Sequence, residues 1–237
     1  MDQRFFTSGN VAGIERAGFD AGLRAHMQRI FNYMGIGLAV TGLVAWVIAN
    51  TALAGVIYGT PLRWVAILSP LAFMFFLNFK MQSLSPSALR TLFFVFCGTM
   101  GLSMGMLFLV FTGDSIARAF FITAATFGAM SLWGYTTKRD LTSMGAFLLM
   151  GVLGLMIAGI VNIFMQSAML QWVSSVLGVA IFTGLTAFDV QRIKQTFAES
   201  WGAEANEKMA VLGAMSLYMN FINAFQFLLQ LTGVRRD

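Results

Sequence analysis

The sequence predicts an all-α fold: a polytopic membrane protein built as a bundle of seven transmembrane helices. Three observations carry that expectation. Hydrophobic residues make up 58% of the 237-residue chain and charged residues only 11%, against roughly 25% charged in an average soluble domain. Mean hydropathy is +0.76. The apolar residues also fall into seven runs, each near the roughly 20 residues that a membrane helix needs. Barrel strands would instead alternate apolar and polar residues over about 10 positions. Backbone polar groups in lipid must be satisfied internally, so runs that are apolar on all sides cross as helices.

The first run, Ile30–Ala49, follows a charged stretch, residues 1–29, read as a cytoplasmic N-terminal segment. Near its end Leu23, Met27 and Ile30 share a helical face away from Arg24 and Gln28. That pattern fits an amphipathic helix along the membrane surface, and it fits a simple extension of the first crossing equally well. The charges from Asp2 to Arg29 leave no apolar core for a cleavable signal peptide. The second run, Arg63–Phe79, is short and holds Pro70, where a kink is expected. The third is Leu92–Phe111, with Gly98, Gly101 and Gly105 on one face, an arrangement suited to close helix packing. The fourth, Ala119–Tyr135, is again short. Thr142–Met165, Gln171–Phe188 and Met209–Leu231 complete the set. Residues 30–231 therefore read as one membrane domain, with 232–237 a short C-terminal tail.

Orientation follows from Lys and Arg in the loops. With the N-terminus cytoplasmic, 11 basic residues lie inside: Arg4, Arg16, Arg24, Arg29, Lys80, Arg90, Lys138, Arg139, Arg192, Lys194 and Lys208. Four lie outside: Arg63, Arg118, Arg235 and Arg236. Seven crossings then put the C-terminus outside. The net charge of +5 belongs to these loops, and nucleic acid is not an expected partner. Cys97 is the one cysteine and His26 the one histidine, so no disulfide and no multi-histidine or cysteine-rich metal centre is expected. With no serine–histidine–aspartate set, phosphate-binding loop or zinc-protease motif, the chain reads as a non-enzyme without a cofactor.

Of ten acidic residues, Asp189 alone continues an apolar run without a break, in IFTGLTAFDVQRIK (181–194). It lies 18 residues, or about 27 Å, along its helix from Gln171, near the cytoplasmic edge of the hydrocarbon. An acid there either pairs with Arg192 at the interface or faces the bundle and marks an ion route or proton relay. The seventh run offers partners: Ser216, Asn220, Asn223, Gln226 and Gln230 form a stripe on one helical face. Interhelical hydrogen bonding explains that stripe as well as a pathway does. Lys80, at the end of the second run, is either a counter-ion for Asp189 or a lysine reaching for the interface.

The runs TAATFGAMSLWGYTTKRDLTSMGAFL (123–148), DAGLRAHMQRIFNYMGIGLAVTG (20–42), IVNIF (160–164), FDVQRIK (188–194) and SLYMNFINAF (216–225) resemble the transmembrane Bax inhibitor motif family, in its bacterial form. The resemblance implies a seven-helix bundle with the seventh helix central. It also implies calcium leak across the membrane, with sensitivity to pH. Some bacterial members interact with a membrane-anchored ATP-dependent protease. In calcium-conducting members an Asp on the sixth helix pairs with an Asp on the seventh, with a basic residue near the end of the second. These positions map onto Asp189, Asn220 and Lys80. The Asn is a departure: two carboxylates in contact resist simultaneous ionisation, and an Asp–Asn pair lacks that repulsion. A second departure is Met106, where many members have Pro.

The function expected is thus a cation leak channel for calcium in a bacterial inner membrane. Asp189, Asn220, Asn223, Lys80 and Arg192 are its ion-pathway and pH-sensing residues, and Asp189 is the candidate calcium ligand. The alternative is a non-conducting regulator that binds membrane quality-control protease machinery or other stress-response partners.

Overall fold

A computed structural model describes residues 4–80, 83–198 and 202–236, with the backbone alone described for 4–19 and 78. Residues 1–3 of the expected N-terminal segment, Glu199 and Asp237 lie outside the described residues. The described residues form eight helices: α1 (Arg4–Ala49), α2 (Leu53–Tyr58), α3 (Leu62–Lys80), α4 (Pro86–Val110), α5 (Gly113–Thr136), α6 (Thr142–Met165), α7 (Ala168–Thr196) and α8 (Gly202–Thr232). The all-α class is as the sequence predicts. The count of seven crossings is not reached by length and composition. Among the described residues six helices are long and apolar enough to cross, and Leu62–Leu77 of α3 is a shorter apolar helix. The shortfall falls at the short second run, and α3 continues through Pro70 without interruption.

Caps explain where several helices begin. Ser85 accepts from the Ala88 N–H at the start of α4, with Pro86 at the first helical position. Thr112 and Ser167 cap α5 and α7 in the same way. α5 starts earlier than its apolar run, so it is not a short helix. The stretch before Ile30 is helical and continuous with α1; Leu23, Met27 and Ile30 are buried while Arg24 and Gln28 are exposed. Extension of the first crossing, not a separate surface helix, is what forms. The unforeseen element is α2, six residues held by the Tyr58 hydroxyl, which donates to the Leu102 carbonyl of α4.

α8 is the centre of the bundle. It packs against α1, α4, α5 and α7, and 56% of its most apolar window is buried, against 0% for α6. Tyr218 of α8 is fully buried, edge-on to Phe93 and Phe96, with its hydroxyl 2.7 Å from that of Thr41. α6 meets the bundle through α7 alone among the larger packing interfaces, and its outer face carries Met150, Leu153, Ile157, Ile160 and Phe164. A helix apolar on its exposed side faces lipid. Contacts also sort the helix ends. Glu207 of α8 joins Arg29 and Arg90 at one end, and the C-terminal Arg235 pairs with Phe111 at the other.

Candidate functional site

α7 carries the site because its last turns stay helical beyond the apolar run and remain buried. Asp189 is 5% exposed. Its Oδ2 accepts from the Ser216 hydroxyl at 2.6 Å and from the Asn220 amide at 2.8 Å, both on α8. Its Oδ1 lies 2.9 Å from the Arg192 guanidinium, one turn along α7. One carboxylate therefore pairs with Arg192 on its own helix and also reaches the neighbouring helix. The Arg192 guanidinium also lies over the Phe188 ring, its carbon 5.5 Å from the ring centre. A buried carboxylate with three charge-assisted contacts is well satisfied.

The polar stripe of α8 divides along its length. Ser216 and Asn220 hold Asp189. The Asn223 amide donates to the Met219 carbonyl of its own helix at 2.8 Å. Near the far end, the Ser175 hydroxyl of α7 lies 3.5 Å from Gln230. Hydrogen bonds between helices thus account for part of the stripe. Lys80 does not join the group. It ends α3 exposed, and among the described residues the cation paired with Asp189 is Arg192.

Asp189, Arg192, Ser216, Asn220 and Asn223 line one cavity of about 670 Å³. The remaining wall is apolar: Leu71, Met74 and Leu77 of α3, Leu149, Val152, Leu155 and Met156 of α6, and Phe182 and Phe227. Its size is within the range of ligand pockets, and its polar groups sit together on the α7–α8 side. Among the described residues no three His, Cys, Asp or Glu side chains gather, so any cation here would meet a single carboxylate with hydroxyl and amide oxygens.

Sequence reasoning missed what fixes α7 at this point. Gln191, 6% exposed, accepts from the Leu141 N–H at 2.9 Å and donates to the Arg139 carbonyl at 2.7 Å. Lys194 donates to the Tyr135 carbonyl at 2.8 Å and sits over the Tyr135 ring. Gly134 brings α5 against the Ala187 backbone, and Gly145 brings α6 against the Phe188 ring. The stretch GYTTKRDL therefore wraps the end of α7, with Gln191 as its clasp. Within that wrap Asp140 accepts from the Thr142 hydroxyl and N–H. Those bonds, the hydroxyl's first, hold its carboxyl below the ordinary carboxylate value. The signal available beforehand was the spacing in FDVQRIK: 189, 191 and 194 address three different neighbours.

Sequence reasoning also missed a second cluster. The Glu207 carboxylate takes the Tyr33 hydroxyl at 2.6 Å and the Arg29 guanidinium at 2.8 Å, with Arg90 at 3.6 Å. It ties α1, α4 and α8 at the end of the bundle where Asp189 lies.

The family model described as inhibitor of apoptosis-promoting Bax1 matches residues 23–237. A Caulobacter vibrioides protein is 44% identical over 232 residues, covering 92% of each chain. The Rickettsia prowazekii protein RP147 is 41% identical, covering 92% of this chain and 93% of its own. The Escherichia coli inner membrane protein YbhL is 38% identical, covering 91% and 94%. With its buried Asp189 site and its long apolar helices, the chain is an integral membrane protein that belongs to the Bax inhibitor family.

Proposed function

We propose that the chain forms a leak pathway for cations, with calcium as the ion, through the cavity that Asp189 lines. The observation that carries the proposal is a carboxylate only 5% exposed, held between α7 and α8 on the wall of a cavity of about 670 Å³. Ionisable residues inside membrane bundles mark ion and proton routes. Calcium takes six to eight oxygen ligands. Here Asp189, the Ser216 hydroxyl and the carbonyl oxygens of Asn220 and Asn223 would supply some of them, and water the rest. One carboxylate already shared with Arg192 suits an ion in passage, since conduction needs binding weak enough to release. Modulation by pH belongs to the same proposal and centres on Asp189.

The membrane proposed is a bacterial inner membrane, as for the Escherichia coli relative, with the N-terminus cytoplasmic. Supporting this orientation, Arg29, Arg90, Arg192 and Lys194 gather at the end of the bundle where Asp189 lies. The alternative is a non-conducting regulator that engages a membrane-anchored ATP-dependent protease. It is favoured by Asn220, which stands where a second carboxylate would add charge, and by the Arg192 pair, which neutralises the one carboxylate present.

The test is calcium entry into vesicles reconstituted with the purified protein, compared with Asp189→Asn. The leak reading expects entry above protein-free vesicles and a severalfold loss in the variant. Equal entry in both proteins overturns the role of Asp189. No entry at all, with a protease copurifying from native membranes, favours the regulator.

A further inference from the structure

α1 and α5 share no substantial packing interface, and two cavities lie between them. Toward the end of the bundle that holds Asp189 lies a groove of about 730 Å³ lined by Arg24, Met27, Phe31 and Met34 of α1 and by Phe127 and Ser131 of α5, among others. Further along the same two faces a smaller crevice of about 270 Å³ continues past Leu38 and Ala45, and past Phe120 and Ile116. Arg24 to Met34 is ten residues, a rise of about 15 Å. That is half of the roughly 30 Å hydrocarbon core, the depth of one leaflet.

Two groups in the groove lack partners. Ser131 is only 7% exposed, and its hydroxyl makes no hydrogen bond. A helical serine in lipid ordinarily returns its proton to a carbonyl of the preceding turn, as Thr123 and Thr136 do on this same helix. Ser131 instead leaves its hydroxyl unpaired and buried in the wall of the groove. At the wide end Arg24 is exposed and forms no ion pair with a described residue. The floor between them is apolar. The groove thus orders three chemistries along its length: a cation at the mouth, a buried hydroxyl donor within, and an aromatic and aliphatic trough beneath.

We propose that this groove holds one glycerophospholipid of the bilayer. Its phosphate would sit on Arg24, with Gln28 beside it. A glycerol ester carbonyl would accept from the Ser131 hydroxyl. One acyl chain would lie between Phe31 and Met34 on one side and Phe127 and Leu132 on the other. Lipids that merely coat a membrane protein need no buried donor, so the Ser131 hydroxyl distinguishes a retained lipid from an annular one.

Native mass spectrometry of the protein purified in mild detergent tests this. The expected result is one adduct of phospholipid mass per chain. Arg24→Gln, a surface change, lowers its occupancy by about threefold or more, as loss of a charge-assisted hydrogen bond implies. Ser131→Ala lowers it while the helix keeps its melting temperature or gains on it. Ser131→Phe fills the groove and removes the adduct, whereas Ala129→Phe, on the exposed side of α5, leaves it. The proposal is overturned by absence of the adduct, by a ladder of adducts equal in all variants, or by an adduct that is not a phospholipid. Should Ser131→Phe fail to fold, unchanged occupancy in Arg24→Gln and Ser131→Ala still overturns it.

Discussion

Replacing Gly134 by Ala should separate α5 from the helix that carries Asp189. A Cβ at Gly134 would lie 2.8 Å from the Ala187 Cα and 2.9 Å from its carbonyl carbon, and closer still to its carbonyl oxygen. Ordinary contact begins near 3.4 Å, so clearing the Cα alone parts the two backbones by about 0.6 Å, and the nearer carbonyl oxygen demands more. All three atoms belong to helix backbone, and no rotamer change can relieve the clash. Overpacking of this kind costs about 1–3 kcal/mol, and about 2–4 °C of melting temperature accompanies each kcal/mol in a chain of this size. Ala187 is two residues from Asp189, so the parting should also move the carboxylate away from Ser216 and Asn220. Gly128, on the same helix, has nothing within 4 Å of its added Cβ; its change to Ala should be neutral or stabilising, by up to about 1 kcal/mol, because Ala is the better helix former. The assay is thermal unfolding of the detergent-solubilised protein with all three chains side by side. Equal melting temperatures for Gly134→Ala and Gly128→Ala would refute the claim that α5 and α7 touch backbone to backbone here.

Four further outcomes follow from the same geometry. Gln191→Leu strands the Leu141 N–H and the Arg139 carbonyl; each buried unpaired group costs about 1–3 kcal/mol, and faster hydrogen exchange at residues 139–142 is the readout. Glu207→Gln removes ion pairs to Arg29 and Arg90, whose side chains are 48% and 46% exposed. Such pairs contribute only about 0.2–1 kcal/mol, and a melting difference that vanishes in high salt confirms their nature. Thr142→Val removes the hydroxyl that depresses the Asp140 carboxyl, so the Asp140 carbon-13 resonance should titrate nearer the free value of about 3.9; a depressed folded value stabilises above the unfolded one and is lost as pH falls through it. Asn220→Asp places two carboxylates in contact, which cannot both ionise cheaply, so flux should vary more steeply between about pH 6 and 8 than in the unmodified chain; an unchanged profile would remove position 220 from pH sensing.

How much of this is legible in the sequence depends on what each residue faces. The limits Thr142–Met165 can be read directly because α6 lies against lipid, where hydropathy and helix end together. α7 and α8 run past their apolar stretches because Gln191 satisfies its amide on the α5–α6 loop and Lys194 and Glu207 satisfy their charges on neighbouring helices, which hydropathy cannot register. α2 is too short for a periodic pattern, and Tyr58 holds it through a contact 44 residues away in sequence. The link from Asp189 to Asn220 is visible as one acid in an apolar helix beside a polar stripe. The cavity is not, because it is made by the placing of α3 and α6, whose walls are plain leucine and methionine.

The central claim is that ions pass through the cavity lined by Asp189, and Asn223→Cys tests it most directly. Asn223 lines that cavity without holding the carboxylate, and the native Cys97 is fully buried, so a membrane-impermeant thiol reagent should reach the introduced thiol alone. Calcium entry into vesicles carrying Asn223→Cys should fall after treatment, while the unmodified protein stays unaffected. Labelling of the introduced thiol confirmed by mass, with calcium entry undiminished, would contradict the account.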